Sequence, residues 1–254
     1  MQHLHDLEDA RGLRVLHAGD PSLLLLGNPN RLENNRSQFV FVRSIDHYLS
    51  LFPQDGDIEL ADCDPLDISG QDIKSVIIQC LQGNTTYLDL LRTPIAQLKI
   101  GSFAEQLVDF ALENGDPVRF ASWHLKRLTR QRRRFDGGAK AEIVPERLIE
   151  LLRPALSLRW YSQNRLTGLP PATLPQLLED VFLRPVLRGE IDELLQRQSE
   201  GNLRDLMKIP SAIADLVLAE IEAGPAIETR RKRTMTRTEL GNADRFFLKW
   251  AVAK

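Results

Sequence analysis

The stretch Glu33-Asn34-Asn35-Arg36-Ser37-Gln38-Phe39-Val40-Phe41-Val42-Arg43, continued by Ser44-Ile45-Asp46-His47-Tyr48-Leu49-Ser50-Leu51, decides how the chain is read. Phe39 to Val42 are aromatic or β-branched without interruption, and a polar turn cluster precedes them. Ile45, Tyr48 and Leu49 then recur at helical spacing. The period changes from about two to about 3.6 near Ser44, so a buried strand is expected to feed a short helix.

Working outward, Leu13 to Ala18 alternate as a first strand that stops at the turn signal Gly19-Asp20-Pro21. Met1 to Asp9 read as a polar lead-in outside the core, and Leu23 to Leu26 as either a strand or one helical turn. Beyond Leu51, Asp55-Gly56 marks a turn, and Asp57 to Ala61 alternate acidic with apolar side chains as a half-buried strand. Ser69 followed by Asp72 resembles a helix-capping pair, and Ile73, Val76, Ile77, Cys80 and Leu81 form an apolar stripe that ends at Gly83. A second helix, Thr85 to Arg92, is expected before Pro94.

After about Ile100 the pattern becomes almost wholly helical. Ser102-Phe103-Ala104-Glu105 predicts a capped helix ending near Gly115, and Asp116-Pro117 opens the next. A long helix should run from Pro145 to about Gln163 with Pro154 inside it, and shorter ones over Pro175–Leu183, Val186–Gln198 and Ser211–Glu222. Glu228 to Thr238 is a polar linker, and Leu240, Ala243, Phe247 and Trp250 make a final amphipathic helix that should dock back.

At 254 residues and 43% apolar content, the chain is long enough for one large domain or two modest ones. A net charge of −2 exerts no global pull toward nucleic acid or membrane, so any anion-binding surface must be local. Cys63 and Cys80 alone supply neither a disulfide framework nor a zinc pattern. With no signal-peptide run at the start and no apolar run long enough to cross a bilayer, a cytoplasmic protein is expected, without a membrane partner. His3 and His5 lack a nearby third ligand and read as surface residues, and His17, His47 and His124 as packing or surface residues.

The opening stretch resembles the bacterial and phage nucleotidyltransferase family of the DNA-polymerase-β-like superfamily. Its members carry a Ser-Asp-Tyr-Asp-Val-Arg-Phe-type strand and then a Leu-Asp-x-Tyr-Leu-Ser-like helix. This chain keeps Phe39-Val40-Phe41-Val42-Arg43 and Ile45-Asp46-His47-Tyr48-Leu49-Ser50-Leu51. Two further blocks are similar to the family: Leu66-Asp67-Ile68-Ser69-Gly70-Gln71-Asp72-Ile73, extending with changes to Ile95, and Leu152-Arg153-Pro154 through Arg159-Trp160. The resemblance covers roughly residues 14 to 224. It implies an α+β fold: a small mixed nucleotidyltransferase-like sheet with flanking helices over 10–100, an all-helical domain over 101–224, and a linker with a C-terminal docking helix over 225–254.

In that superfamily two aspartates on one strand and a third on a neighbouring strand hold two Mg²⁺ ions, which bind a triphosphate and activate an acceptor hydroxyl. An ungapped match places Asn34 and Arg36 at the positions of the aspartate pair and retains Asp67 as the third carboxylate, with Asp57 or Glu59 as nearby substitutes. Pro21-Ser22-Leu23-Leu24 stands where the family has a Gly-Ser-Arg-like phosphate loop, and Gly27 remains in register as a turn residue. A guanidinium cannot become a metal ligand by losing a proton, so two-metal catalysis is not expected and no metal ligand is assigned. Asp67 is the catalytic candidate, equally read as a turn or helix-entry acid. Asn34 and Arg36 are the nucleotide-binding candidates, with Arg36 replacing the metal's charge against a phosphate or Asp67, or else standing as a surface arginine beside a decayed site.

Lys126, Arg127, Arg130, Arg132, Arg133 and Arg134 form a basic cluster, with Phe135 beside it, and Arg230-Arg231-Lys232-Arg233 form a second. Such runs are commonly solvated faces, and the alternative is contact with nucleic-acid phosphates. The reading that emerges is a nucleotidyltransferase-family pseudoenzyme with a degenerate metal site, binding nucleotide or RNA and acting beside a protein partner. Two others stay open. One is an active enzyme moving a nucleotidyl group onto RNA or protein with a rearranged carboxylate set, the only reading that calls for Mg²⁺. The other is an inert interaction scaffold.

Overall fold

The computed structural model describes residues 2–21, 24, 36–52, 58–60, 67–93, 98–133, 142–200, 206–230 and 233–252. Backbone contacts divide the chain into two compact units, Met1–Asp116 with Arg233–Lys254, and Pro117–Lys232. The first unit is built on strands β1 (Leu13–Gly19), β2 (Arg36–Arg43), β3 (Ile58–Leu60), β4 (Asp67–Asp72) and β5 (Leu98–Lys99). They form one mixed sheet in the order β3-β4-β2-β1-β5, in which β2 and β4 run parallel and the other neighbours antiparallel. Helices α1 (Gln2–Arg11), α2 (Ile45–Leu49), α3 (Ile73–Gln82), α4 (Thr86–Leu91), α5 (Phe103–Asn114) and α11 (Arg237–Val252) complete this unit.

Cross-strand register sorts the sheet into alternating rows, because successive residues of a strand belong to opposite faces. One row runs Ala18, Phe39, Gly70, Ile58. These residues are buried, and all but Gly70 join Leu7, Leu13, Val15 and Phe41 in one apolar cluster. Gly70 is required there, since a Cβ would lie 2.2 Å from Cζ of Phe39. The adjacent row is polar and runs Gly19, Gln38, Ser69, Glu59.

Two differences from the sequence expectation bear on the sheet and its core. The polar start of the chain is helix α1, whose Leu7 enters the core and whose Glu8 carboxylate accepts the Val15 N–H at 2.7 Å. Strand β4 continues through Asp72 instead of giving way to a helix near Gly70, because its parallel pairing with β2 extends to Phe41↔Asp72. Asp72 is therefore the N-cap, accepting from the Lys74 N–H at 2.8 Å, and Gly83 closes α3 at φ 98°. Helix α11 begins with a reciprocal cap between Thr236 and Glu239 and packs against α3 and β2. Phe247 meets the Tyr48 ring edge-on at 4.9 Å, and Trp250 meets Phe103 at 5.1 Å.

Among its described residues the second unit is helical apart from a two-stranded pairing of β6 (Glu142–Ile143) with β7 (Met207–Lys208). Its helices are α6 (Pro117–Arg133), α7 (Pro145–Gln163), α8 (Leu174–Asp180), α9 (Pro185–Ser199) and α10 (Ser211–Glu228). Helix α7 is buried along most of its length and packs against α6, α8, α9 and α10. Gly224 of α10 lets Leu125 of α6 approach, as a Cβ there would meet the leucine methyls at 2.7 Å. Arg159 donates to Glu220 at 2.5 Å, and the Trp160 indole donates to Asp180 at 2.5 Å.

Candidate functional site

Three chain positions meet at one end of the sheet: Gly19-Asp20 where β1 stops, Arg36 where β2 starts, and Asp67 where β4 starts. Parallel pairing makes Arg36 and Asp67 register partners, and places Gln38 beside Ser69 one step further in on the same face. Glu59 is the register partner of Ser69 and so extends this polar row onto β3. Gln38 and Ser69 are half-buried, and Asp20 is buried. Asn34 and Asp57 lie outside the described residues, as does the Pro21–Leu24 segment except Pro21 and Leu24.

The composition of the strands limits the chemistry. Strand β2 reads RSQFVFVR and holds no carboxylate, while β3 contributes Glu59 and β4 contributes Asp67 and Asp72. Asp72 is committed elsewhere, at the opposite end of β4. Its Oδ2 accepts the Tyr48 hydroxyl at 2.7 Å, and that hydroxyl accepts the Arg43 N–H at 3.1 Å. Burial raises the carboxyl pKa of Asp72 above its ordinary value, opposed by the hydrogen bond from Tyr48 and the Lys74 N–H. Burial likewise raises the Tyr48 phenol, which stays protonated and donating.

On β1, His17 is the register partner of Val40 and of Lys99. It is buried, and neither ring nitrogen has a hydrogen-bond partner among the described residues. Burial, with Lys99 nearby, lowers its pKa to about 4, so the ring is neutral at ordinary pH. Asp20, Gln38 and Ser69 are the site-end residues that sequence reading passes over. The only advance signal for Gln38 and Ser69 is their two-residue spacing from Arg36 and Asp67, which has no meaning until the strand register is known.

Lys126, Arg127, Arg130, Arg132 and Arg133 lie on α6 of the second unit, whereas Arg36 and Asp67 belong to the first; Arg134 and Phe135 lie outside the described residues. Of the second basic run, Arg233 is engaged: it pairs with Glu239 at 2.6 Å, and its backbone N–H donates to Asp116 at 2.8 Å. An open groove of about 390 Å³ lies between α5 and α11, lined by Gln106, Asp109, Phe110, Asn242, Arg245 and Lys249 among others. No strand residue lines it. No helix among the described residues is long and apolar enough to cross a membrane.

The resemblance implies a small mixed sheet with the Arg36 and Asp67 segments on neighbouring strands, and the sheet has them as neighbours, paired in parallel. Residues 1–249 match the sequence model of RlaP, described as the RNA repair pathway DNA polymerase beta family. The chain belongs to the RlaP family. It is also 23% identical over 222 residues to the uncharacterized protein YcgL of Bacillus subtilis strain 168, a match covering 87% of this chain and 84% of that one. The RlaP assignment makes this a polymerase-β-like, nucleotidyltransferase-family protein with an α+β fold.

Proposed function

We propose that this RlaP-family chain binds a phosphate-bearing nucleotide at the Arg36–Asp67 end of its sheet, without the two-ion chemistry of an active transferase. The observation that carries the reading is the register pairing of Arg36 with Asp67 on a strand, β2, that holds no carboxylate. In the superfamily the two divalent ions are held by a pair of carboxylates two residues apart on one strand together with a third, and a permanently charged guanidinium repels an ion in that place. The same guanidinium suits a phosphate, to which it can donate two parallel hydrogen bonds. Asn34 adds an amide from the same stretch. The family's description as part of an RNA repair pathway supports a nucleotide or RNA as the ligand class and a regulatory role beside an active enzyme.

Calorimetric titration of the full chain with ATP, with and without Mg²⁺, tests this. Binding is expected in both conditions, and Arg36→Ala should weaken it at least tenfold, about 1.4 kcal/mol or more. Equal affinity in the two proteins, or no binding in either, rejects the proposal.

One observation favours the alternative, an active transferase with a rearranged carboxylate set: Glu59 shares a cross-strand row with Ser69, two residues along from the Arg36–Asp67 row and on the same face of the sheet. Transfer of radiolabelled NMP to RNA or protein with Mg²⁺ or Mn²⁺, abolished by Asp67→Ala, would establish that alternative and defeat the binding-only reading.

A further inference from the structure

We infer that Lys126, Arg130 and Arg133 form a phosphate-tracking face for single-stranded RNA along the exposed side of α6. The inference deepens the nucleotide- and RNA-binding reading, on which it rests, by naming a polymer surface separate from the sheet-end site.

Helix α6 reads PVRFASWHLKRLTRQRR, 17 residues without one carboxylate. Phe120, Ala121, Leu125 and Leu128 are buried. Lys126, Arg130 and Arg133 are exposed and stand at i, i+4 and i+7, so they are neighbours along one stripe. At a rise of about 1.5 Å per residue they span roughly 10 Å, or two turns. Trp123, one turn before Lys126 on the same side, is half-buried and adds an aromatic ring of the kind on which unpaired bases stack.

Elsewhere in this unit Arg165, Arg184 and Arg230 are also exposed without a side-chain partner among the described residues, but each stands singly, and other arginines are paired. Arg188 pairs with Asp192 at 3.0 Å, Arg197 with Glu193 at 3.0 Å and Arg147 with Glu150 at 3.6 Å, each one turn away on its own helix. Mixed signs of this kind are what solubility alone favours. On α6 the basic cluster divides. Arg127 and Arg132 are half-buried and engaged in other interactions, while Lys126, Arg130 and Arg133 have no ion-pair or hydrogen-bond partner among the described residues. Complementing the helix dipole explains cations in the last turn only, which covers Arg130 and Arg133 but not Lys126. A row of unpaired, evenly spaced cations on a chain of net charge −2 matches the repeating charge of a phosphate backbone.

The test is fluorescence anisotropy of the full chain with a labelled oligouridine of about 20 nucleotides, titrated over roughly 50 to 200 mM salt. The variant Lys126→Gln/Arg130→Gln/Arg133→Gln is compared with the charge-matched variant Arg147→Gln/Arg188→Gln/Arg197→Gln. The first should weaken binding at least tenfold and flatten the log–log salt slope by about 2, at about 0.7 per lost single-strand contact. The second should stay within about twofold of wild type. Equal losses in the two variants, no RNA binding by wild type, or equal affinity for polyglutamate would overturn the inference. ATP titration of the same proteins keeps the two readings apart: absence of ATP binding counts against the sheet-end site alone, and absence of RNA binding against the α6 face alone.

Discussion

Strand β4 carries an aspartate at each end, and the two stand in different surroundings. Asp72 is buried, caps α3 and accepts the Tyr48 hydroxyl, and Phe247 of α11 packs on that same tyrosine ring. Asp67 starts the strand in register with Arg36, in the row next to Gln38 and Ser69. One end joins β4 to α2 and α3 through hydrogen bonds and to α11 through the Tyr48–Phe247 ring contact; the other pairs Asp67 with Arg36 in strand register. A carboxylate in a family motif is therefore not functional by its type alone. Its role follows from what the opposite strand and the covering helix supply.

The comparison depends on the β2–β4 register, and the largest expected effect comes from disturbing it. Gly70→Ala would place a methyl 2.2 Å from the fully buried Phe39 ring, so a loss of about 3 kcal/mol or more is expected in urea denaturation. A loss under about 1 kcal/mol would mean that the strands are less closely paired than described.

Next in size is an acid effect that separates β1, beside the site end, from Asp72. His17 stays neutral in the folded chain down to about pH 4, whereas in the unfolded chain it takes up a proton near its ordinary value of 6.5. The unfolded state thus binds more protons in that window, and stability falls as pH drops from 6.5 toward 4, by roughly 3 kcal/mol at most. Asp72, with its pKa raised, contributes with the opposite sign and favours the folded state as pH falls. His17→Leu should remove most of the acid-side loss seen in denaturation midpoints across pH, and an unchanged profile would reject the assignment.

The smallest effect compares the aspartates directly. Asp72→Ala leaves the Tyr48 hydroxyl and the first turn of α3 without their acceptor and should cost about 2 kcal/mol. Asp67→Ala should move stability by less than about 0.5 kcal/mol while changing ATP affinity. Equal stability losses would erase the distinction between the two ends.

Much of the fold could be read in advance where periodicity is strong and local. The strand through Phe39–Val42, the stripe Ile73–Leu81 and the long helix from Pro145 to Gln163 fall at or near their expected places. Boundaries moved where a partner outvoted local chemistry. Ser69 resembles a cap in sequence but lies within a strand, because β2 offers it a ladder. Met1 to Asp9 look too polar for a core, yet buried Leu7 and the Glu8 bond to Val15 fasten the helix there.

The sequence by itself determined the α+β alternation and the helical character of the second half, since each of these is written in residue type and short-range spacing. Only the tertiary structure decided that Arg36 and Asp67 are register partners in a parallel pairing, that Gln38 and Ser69 share their side of the sheet, and that three of the cations on α6 stand exposed without partners among the described residues. The physical reason is that register and exposure belong to pairs of distant segments. They are fixed by which backbones hydrogen-bond and which side chains pack, and no single stretch of chain carries that information.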